Sequence, residues 1–310
     1  MKELNPRVVY GETLRSLGEK DQRVVALEAD LGGSTMSCLF ERAFPDRFFE
    51  MGIAEQNMAS FAAGLAIEGK IPFIHSFAVF ASGRAYDQIR QGICIGNVNV
   101  KIVGSSSGLS DFGDGATHQS IEDTALMCSL PNMTVLEPMD AAETEKIVEA
   151  AYRHQGPVYI RINRNDLPIL YPEDHDFVIG EPVVIREGTD LVVFASGVMV
   201  SKAVSAANQL AEMGFSLKVV NVSSLKPLNA ERVKELANGV QGIITAQEHS
   251  QLGGLASIIT SIFKGDGRPI ETIGVADRFG QSAKSYEDLL QHYGLTEEEI
   301  VASAQRILRR

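Results

Sequence analysis

The segment Met51-Gly-Ile-Ala-Glu-Gln-Asn-Met58 joins an apolar burst at residues 47–52 to a helix predicted over residues 54–68. Glu55 stands in the first turn of that helix, where a carboxylate complements the helix dipole. The rest of the helix is apolar, and a buried carboxylate costs several kcal/mol unless it is paired or hydrogen-bonded. Glu55 is therefore either a simple dipole partner or an acid that meets a ligand, for which a ring nitrogen would be a suitable partner.

On both sides of this segment, apolar bursts that suit buried strands alternate with amphipathic stretches, which is typical of a mainly parallel α/β fold. The first series of predicted strands comprises residues 23–31, 47–52, 71–77, 98–104, 133–138 and 157–163. The second series comprises residues 191–196, 217–222, 242–247 and 270–275. Helices are predicted between and after these strands, among them residues 83–95 and, near the end of the sequence, residues 286–292 and 297–308. We therefore predict two α/β domains, each with a mainly parallel sheet flanked by helices.

A proline-punctuated stretch at residues 166–172 separates the two series and is not expected to hold a regular element. We place a first domain at residues 1–170, a linker at residues 171–188 and a second domain at residues 189–310.

The composition supports a globular enzyme of that size. The chain has 310 residues, of which 45% are hydrophobic and 22% are charged, and a typical domain has about 150 residues. The formal net charge of −12 argues against nucleic acid and anionic membranes as partners. The three cysteines form no CxxC pair, which fits a reducing compartment. With no signal-peptide pattern and no long apolar run, the sequence predicts a soluble cytoplasmic protein.

Two aromatic residues follow the strand predicted over residues 71–77. Phe77 and Phe80 are three residues apart, so they share one face of a helical turn. Two core aromatics would show the same spacing. Open parallel sheets, however, bind ligands just beyond the carboxyl ends of their strands, which favours a role in binding.

A long Gly/Ser loop, residues 104–119, follows the next strand and carries Asp111, Asp114 and His118. Its length and irregularity exceed what a connector needs, so we expect a polar substrate pocket. A metal site is less favoured, because no other His or Cys recurs at ligand spacing. The Gly-Asp-Gly tripeptides at residues 113–115 and 265–267 lack the strand context and the downstream Asn of a diphosphate–magnesium motif.

Arginines flank the predicted strand ends. Arg7 lies near the amino terminus, and Arg161 and Arg164 belong to the segment Tyr159-Ile-Arg-Ile-Asn-Arg164. A guanidinium at such a place clamps a phosphate with two parallel hydrogen bonds. An ordinary ion pair is the alternative for each of them.

The combination of Gly52-Ile-Ala-Glu-Gln56, the pair Phe77 and Phe80, Gly113-Asp-Gly-Ala-Thr-His-Gln119 and Arg161-Ile-Asn-Arg164 resembles the carboxyl-terminal half of a transketolase. The similarity extends over essentially the whole chain. It implies a pyrimidine-binding domain followed by a smaller transketolase C-terminal domain, and a thiamine diphosphate site built between subunits.

The resemblance also implies roles for individual residues. Glu55 corresponds to the glutamate that hydrogen-bonds N1′ of the aminopyrimidine and favours the tautomer whose 4′-nitrogen removes the C2 proton. Phe80 corresponds to the ring that stacks on the pyrimidine, with Phe77 beside it. His118, assigned a catalytic role with Glu55, and Asp114 correspond to residues that contact sugar hydroxyls.

Four further positions are implied in the same way. Arg7, Ser34 and Arg164 correspond to the arm that holds the sugar phosphate. Asp30 corresponds to an aspartate near the cofactor, where two subunits meet. The roles of His75 and His249 stay open, and a structural role is expected for His249.

The chain departs from the family pattern in two respects. It has no counterpart of the family's amino-terminal domain, which binds diphosphate and Mg²⁺ through a GDG…N motif. This implies the C-terminal subunit of a split transketolase, inactive until an N-terminal subunit supplies that domain, in an expected α₂β₂ heterotetramer. Near Gly104, where many transketolases carry a histidine, the loop has only Gly and Ser, so the donor and acceptor sugars stay open.

Three alternatives remain at this point. Deoxyxylulose phosphate synthase shares the Gly-Ile-Ala-Glu-Gln motif and Arg84-Ala-Tyr-Asp-Gln88. The β subunit of a 2-oxoacid dehydrogenase has the right length and also pairs with another chain, but it normally shows a different histidine loop. A non-catalytic paralogue that only binds a partner would have no reason to keep a buried Glu55.

Overall fold

A computed structural model of the chain describes residues 2–171 and 176–309. It contains two domains with α/β architecture, as the sequence predicts. Part of the predicted linker, residues 172–175, lies outside the described residues.

The first domain is built on a seven-stranded sheet. Its strands in spatial order are Ser224–Lys226 (β12), Thr134–Leu136 (β6), Val158–Arg161 (β7), Lys101–Ser105 (β5), Ile71–Phe77 (β4), Val24–Glu28 (β2) and Phe48–Glu50 (β3). All neighbours are parallel except β12, which pairs antiparallel with β6. The central strands β2, β4 and β5 are buried along their whole length, because helices cover both faces of such a sheet.

The second domain has a five-stranded sheet, and a two-stranded ribbon lies beside the two. The strands of the second sheet are Ile270–Val275 (β14), Gly242–Ser250 (β13), Leu191–Ala195 (β10), Leu217–Asn221 (β11) and Val183–Arg186 (β9), with β9 antiparallel at the edge. The ribbon pairs Glu3–Leu4 (β1) with Leu167–Pro168 (β8).

The helices follow their capping signals. Asn5, Asp140, Ser285 and Thr296 each accept a backbone N–H two or three residues on and thereby fix a helix start. The α-helices are Pro6–Lys20 (α1), Gly32–Thr35 (α2), Cys38–Ala43 (α3), Glu55–Ile67 (α4), Tyr86–Gln88 (α5), Asp123–Cys128 (α6), Ala141–Arg153 (α7), Met199–Glu212 (α8), Ala230–Leu236 (α9), Leu255–Ile262 (α10), Tyr286–His292 (α11) and Glu297–Leu308 (α12). Within the described ranges, no helix has the length and apolar character needed to cross a membrane.

Three local expectations were wrong. The segment at residues 166–172 was expected to be irregular, yet Leu167–Pro168 forms β8. Proline is tolerated there because the ribbon is closed by the next residue, whose Ile169 N–H donates to Lys2 O at 3.0 Å. The strand β9 lies inside the range of the predicted linker. Its four residues, one buried and three half-buried, are enough to form an edge strand of the second sheet.

The third concerns the helix predicted over residues 83–95, which is divided. Two π-helical segments, Phe80–Arg84 and Ile89–Cys94, flank the short α5. A π-helical turn holds one extra residue and often lies at a functional site. Arg84 is the last residue of the first π-helical segment, and its side chain contacts Glu55 at the start of α4.

Candidate active site

The predicted site residues gather at the carboxyl edge of the first sheet, where open parallel sheets present ligand-binding groups. Helix α4 begins at Glu55 just after β3, and its side chain is 1% exposed. One nitrogen of Arg84, Nη1, donates to both Glu55 carboxylate oxygens at 2.8 Å. The hydroxyl of Ser76, at the end of β4, donates to the same carboxylate at 3.4 Å. Glu55 is therefore a buried, paired acid and not only a dipole partner.

The two phenylalanines lie side by side beyond β4. The ring centroids of Phe77 and Phe80 are 6.3 Å apart and the planes are inclined by 16°. The Arg84 guanidinium lies over the Phe80 ring at 4.5 Å, a cation–π contact. The Phe80 ring and the Glu55 carboxylate therefore share one neighbour, Arg84.

His118, on the Gly/Ser loop, packs against the two phenylalanines. Its imidazole meets Phe80 edge-on with centroids 5.3 Å apart, and Phe77 at 6.1 Å. The ring is half-buried, and Thr117 Oγ1 lies 2.9 Å from its Nδ1. The aromatic pair and Thr117 therefore hold the imidazole in place, and part of the side chain stays exposed.

The arginines form a basic arm next to the aromatic pair. Arg7 donates to the carbonyl of Ser34 at 2.7 Å, and Arg164 pairs with the buried Asp111. The Arg164 guanidinium also lies over the Phe77 ring at 5.7 Å. Burial lowers the pKa of Arg7, and the charge of Arg164 lowers it further. Two guanidinium groups close enough to repel one another are suited to holding an anion.

The structure thus links seven of the nine predicted site residues through neighbouring contacts. These are Glu55, Phe80, His118, Phe77, Arg164, Arg7 and Ser34. The other two lie beside this set. Asp30 is exposed after β2 and lines a groove with Ser34, while Asp114 is exposed on the Gly/Ser loop.

Sequence reasoning missed two acid–base features of the site. One is the Arg84 contact, because only the π-helical turn brings this side chain to Glu55. The other is Glu28, a buried carboxylate that accepts the hydroxyls of Thr35 at 2.6 Å and Ser37 at 2.5 Å. Burial raises the pKa of Glu28 to about 7. Its place in the otherwise apolar strand β2 is the signal that marks it, and it fixes the turn that carries Ser34.

The two histidines left open both form hydrogen bonds inside the protein. His75 is fully buried: its Nδ1 donates to Leu27 O at 2.8 Å and its Nε2 accepts from Tyr10. Burial lowers the pKa of His75 to about 4, so the ring is neutral at pH 7. His249 is also fully buried, and burial lowers its pKa. Its Nδ1 lies 2.9 Å from Ser250 O.

Arg161 does not clamp a ligand. The side chain is fully buried at the domain interface, where its Nε donates to Asp123 at 3.0 Å and its Nη1 to Glu137. A third contact runs from Nη2 to the carbonyl of Glu248 at 2.7 Å. Glu137 in turn accepts the hydroxyl of Ser196 from the second domain at 2.8 Å. Of the two alternatives left open for Arg161, a phosphate clamp or an ion pair, its contacts therefore favour the ion pair.

Gly104 leaves no room for a side chain. A Cβ added there would lie 2.3 Å from the hydroxyl oxygen of Tyr159 on the adjacent strand β7. That hydroxyl is fixed by a 2.7 Å hydrogen bond to Asp123. The Tyr159 ring therefore requires glycine at this point of β5.

The fold and the site together define a class of protein. It is a two-domain α/β protein whose first parallel sheet carries a carboxylate, aromatic rings and arginines at the carboxyl ends of its strands. Residues 2–169 match the transketolase pyrimidine-binding domain, and residues 180–300 match the transketolase C-terminal domain. The chain therefore belongs to the transketolase family of thiamine diphosphate enzymes.

Individual relatives agree with this assignment. A solved structure described as split gene transketolase, inactive beta4 tetramer, is 43% identical, with a TM-score of 0.89 and coverage of 99% of each chain. The 6-deoxy-6-sulfo-D-fructose transketolase subunit SqwH of Clostridium sp. (strain MSTE9) is 38% identical over 306 residues, covering 98% of this chain and 94% of that protein. One of the subunits of the apulose-4-phosphate transketolase of Phocaeicola vulgatus is 34% identical over 305 residues, covering 98% and 97%.

The residues present fit the aminopyrimidine end of thiamine diphosphate. A buried carboxylate has about four lone-pair sites, so Glu55 retains acceptor capacity beside its bond to Arg84. The Phe80 ring supplies a flat apolar face next to it. Among residues 2–171 and 176–309, no group of three His, Cys, Asp or Glu side chains is arranged to hold a metal ion.

Proposed function

We propose that this chain is the C-terminal subunit of a split transketolase that transfers a two-carbon ketol unit from a ketose phosphate to an aldose phosphate. The observation that carries the proposal is the buried carboxylate of Glu55 beside the Phe80 ring, with His118 5.3 Å from that ring. When bound, thiamine diphosphate supplies the carbanion chemistry. The protein supplies position, hydrogen bonds and charge.

Each residue has a task in this proposal. Glu55 holds a ring nitrogen of the aminopyrimidine and controls its tautomer, while Phe80 and Phe77 fix the plane of that ring. His118 meets the hydroxyls of the sugar close to the reacting carbon, with Asp114 from the same loop.

The basic arm supports an anionic sugar as substrate. After burial, the charge of Arg164 is the next cause that lowers the pKa of Arg7, so the two guanidinium groups repel one another and an anionic group between them relieves that repulsion. Relatives named for a sulfo sugar and for a sugar phosphate are consistent with such a site. The arm and Ser34 therefore bind the end of the sugar far from the coenzyme, with Asp30 at the neighbouring groove.

A partner subunit completes the site. We propose an N-terminal subunit that binds the diphosphate and Mg²⁺ through a GDG…N motif, in an α₂β₂ heterotetramer in the cytoplasm. The related split-gene structure, an inactive β₄ tetramer, supports inactivity of this subunit alone. We also propose the division into residues 1–170, 171–188 and 189–310, with β9 of the second sheet inside the linker range; the family matches over residues 2–169 and 180–300 support a boundary between residues 169 and 180.

Reconstitution tests the proposal. We expect no turnover from either subunit and ketol transfer when both are mixed with thiamine diphosphate and Mg²⁺, followed in a coupled assay. Glu55→Gln should lower kcat about 10²–10⁴-fold, the range for a lost acid–base group. Glu68→Gln, at the exposed far end of the same helix, is the matched control. Equal activity of the two variants would refute the role of Glu55.

A further inference from the structure

A loop of the second domain, residues 276–283, packs directly against the Gly/Ser loop that carries His118. Two hydrogen bonds join them: Ala283 N–H donates to Phe112 O at 2.9 Å, and Gln119 Nε2 donates to Gln281 O at 3.0 Å. Gln119 is 4% exposed and also donates to Asp111 O at 3.1 Å. One side chain therefore ties both ends of the segment 111–119 to the second domain.

The two loops touch so closely that glycine is required on each side. A Cβ added to Gly280 would lie 1.8 Å from the Gln119 side-chain oxygen. A Cβ added to Gly115, which has a φ of +77°, would lie 2.4 Å from the hydroxyl oxygen of Ser282. The Gly280 backbone therefore packs against the Gln119 side chain and the Gly115 backbone against Ser282, and the second-domain loop acts as a template for the shape of the Gly/Ser loop.

The template is itself anchored to the second domain. Tyr293, which is buried at the end of α11, donates its hydroxyl to Phe279 O at 2.9 Å. The Arg278 guanidinium lies over the same tyrosine ring at 5.0 Å. The loop is therefore held at its centre by the domain core and is not a free connector.

We propose that Gln119 is a positioning residue through which the second domain sets the place of His118 and Asp114 and thereby the sugar that the site accepts. Backbone hydrogen bonds connect Gln119 and His118 to the same point of the loop. His118 N–H donates to Gly115 O at 2.9 Å, and Gln119 N–H donates to the same carbonyl at 3.1 Å. This inference rests on the proposed function, because it takes His118 as the group that meets the sugar. It gives the second domain a part in substrate selection without any contact to the coenzyme.

The test is a double-mutant cycle in the complex with the partner subunit. Gly280→Ala drives a methyl group into Gln119, and Gln119→Ala removes the tie. Each should lower kcat/KM for the sugar substrate about tenfold to a hundredfold, as a misplaced contact of about 1 Å does, while the Kd for thiamine diphosphate stays unchanged. The double variant should be no worse than Gln119→Ala, because the two changes act through one side chain. Phe279→Ala is the matched control, since its side chain is 80% exposed in the same loop.

A second readout needs no partner. Amide hydrogen exchange of residues 111–119 in the full chain should accelerate in Gly280→Ala and in Gln119→Ala but not in Phe279→Ala. Additive losses in the double variant, unchanged sugar kinetics, or a parallel loss of coenzyme affinity would each overturn the inference. If Gly280→Ala does not fold, Gln119→Ala decides by the same split between sugar kinetics and coenzyme affinity. A wild-type complex that binds no coenzyme would instead refute the proposed function.

Discussion

Replacing Arg161 by methionine tests the assignment of the two arginines of the segment Arg161-Ile-Asn-Arg164 to different tasks. Arg161 is fully buried, and each of its three guanidinium nitrogens donates a hydrogen bond. Nε donates to Asp123 at 3.0 Å and Nη1 to Glu137. Nη2 donates to Ser120 O at 3.2 Å and to Glu248 O at 2.7 Å. Burial lowers the pKa of Arg161, but the surrounding carboxylates outweigh it and raise the pKa above its ordinary value. The guanidinium is therefore charged at any pH of interest.

Its loss leaves the carboxylates of Asp123 and Glu137 buried without their cation. Breaking a buried pair by removal of one partner costs about 3–5 kcal/mol, a large fraction of the roughly 5–15 kcal/mol that stabilise a typical domain. Arg164 is one-third exposed and has one carboxylate partner, Asp111. Loss of Arg164 leaves that one buried carboxylate without its partner, which costs about 1–3 kcal/mol, so Arg164→Met should cost less stability than Arg161→Met.

Thermal unfolding of the full chain measures this contrast. We expect the midpoint of Arg161→Met to fall by about 10 °C and that of Arg164→Met by about 5 °C or less. In the reconstituted complex, Arg164→Met should instead raise KM for a phosphorylated sugar. A stable Arg161→Met variant that has lost only sugar affinity would refute this assignment and restore Arg161 to the ligand site.

Three more predictions concern single side chains. Burial raises the pKa of Glu143 to about 7, so the folded state binds a proton that the unfolded chain releases near pH 4.5; the free energy of unfolding should fall from pH 5 to 7 relative to that of Glu143→Gln, and parallel pH profiles in denaturant titrations would contradict this. Arg7→Met should raise KM about 10–100-fold for phosphorylated sugars only, whereas Arg15→Met, exposed on the same helix, should not; equal KM values would exclude Arg7 from the arm. Arg84→Met should lower the free energy of unfolding by about 1–3 kcal/mol, because a buried carboxylate loses its partner; adding Glu55→Gln should restore most of it, and an additive loss would argue against the pairing.

Local signals were sufficient for much of the fold. The strand Ile71–Phe77 and the helices Tyr286–His292 and Glu297–Leu308 have the bounds expected from the sequence. The strand is buried throughout and mostly apolar, with His75 and Ser76 as its two polar residues. Each helix begins after a Ser or Thr cap that satisfies its first N–H groups.

Long-range pairing was not readable in the same way. Ser224–Lys226, from the second half of the chain, joins the edge of the first sheet beside β6. A three-residue edge strand has little pattern of its own, and its partner is set by how the domains dock. The contact between Arg84 and Glu55 is hidden for a similar reason, because it depends on one π-helical turn.

The candidate site was predicted better than its supports. Most of the residues named from the resemblance lie together, since they follow successive strands to one sheet edge. The buried side chains that orient them are harder to predict: Glu28 belongs to none of the quoted motifs, and Gln119 ends one of them but contacts Gln281 in the second domain. Their function arises from burial and from contacts with chain segments far away in sequence.

The most direct measurement is a structure of the mixed complex with thiamine diphosphate bound. We predict a Glu55 carboxyl oxygen about 2.6–3.2 Å from a nitrogen of the aminopyrimidine ring, with the Phe80 ring stacked against it. A bound coenzyme whose ring lies elsewhere, with the Glu55 carboxylate hydrogen-bonded only to Arg84 and Ser76, would contradict the account.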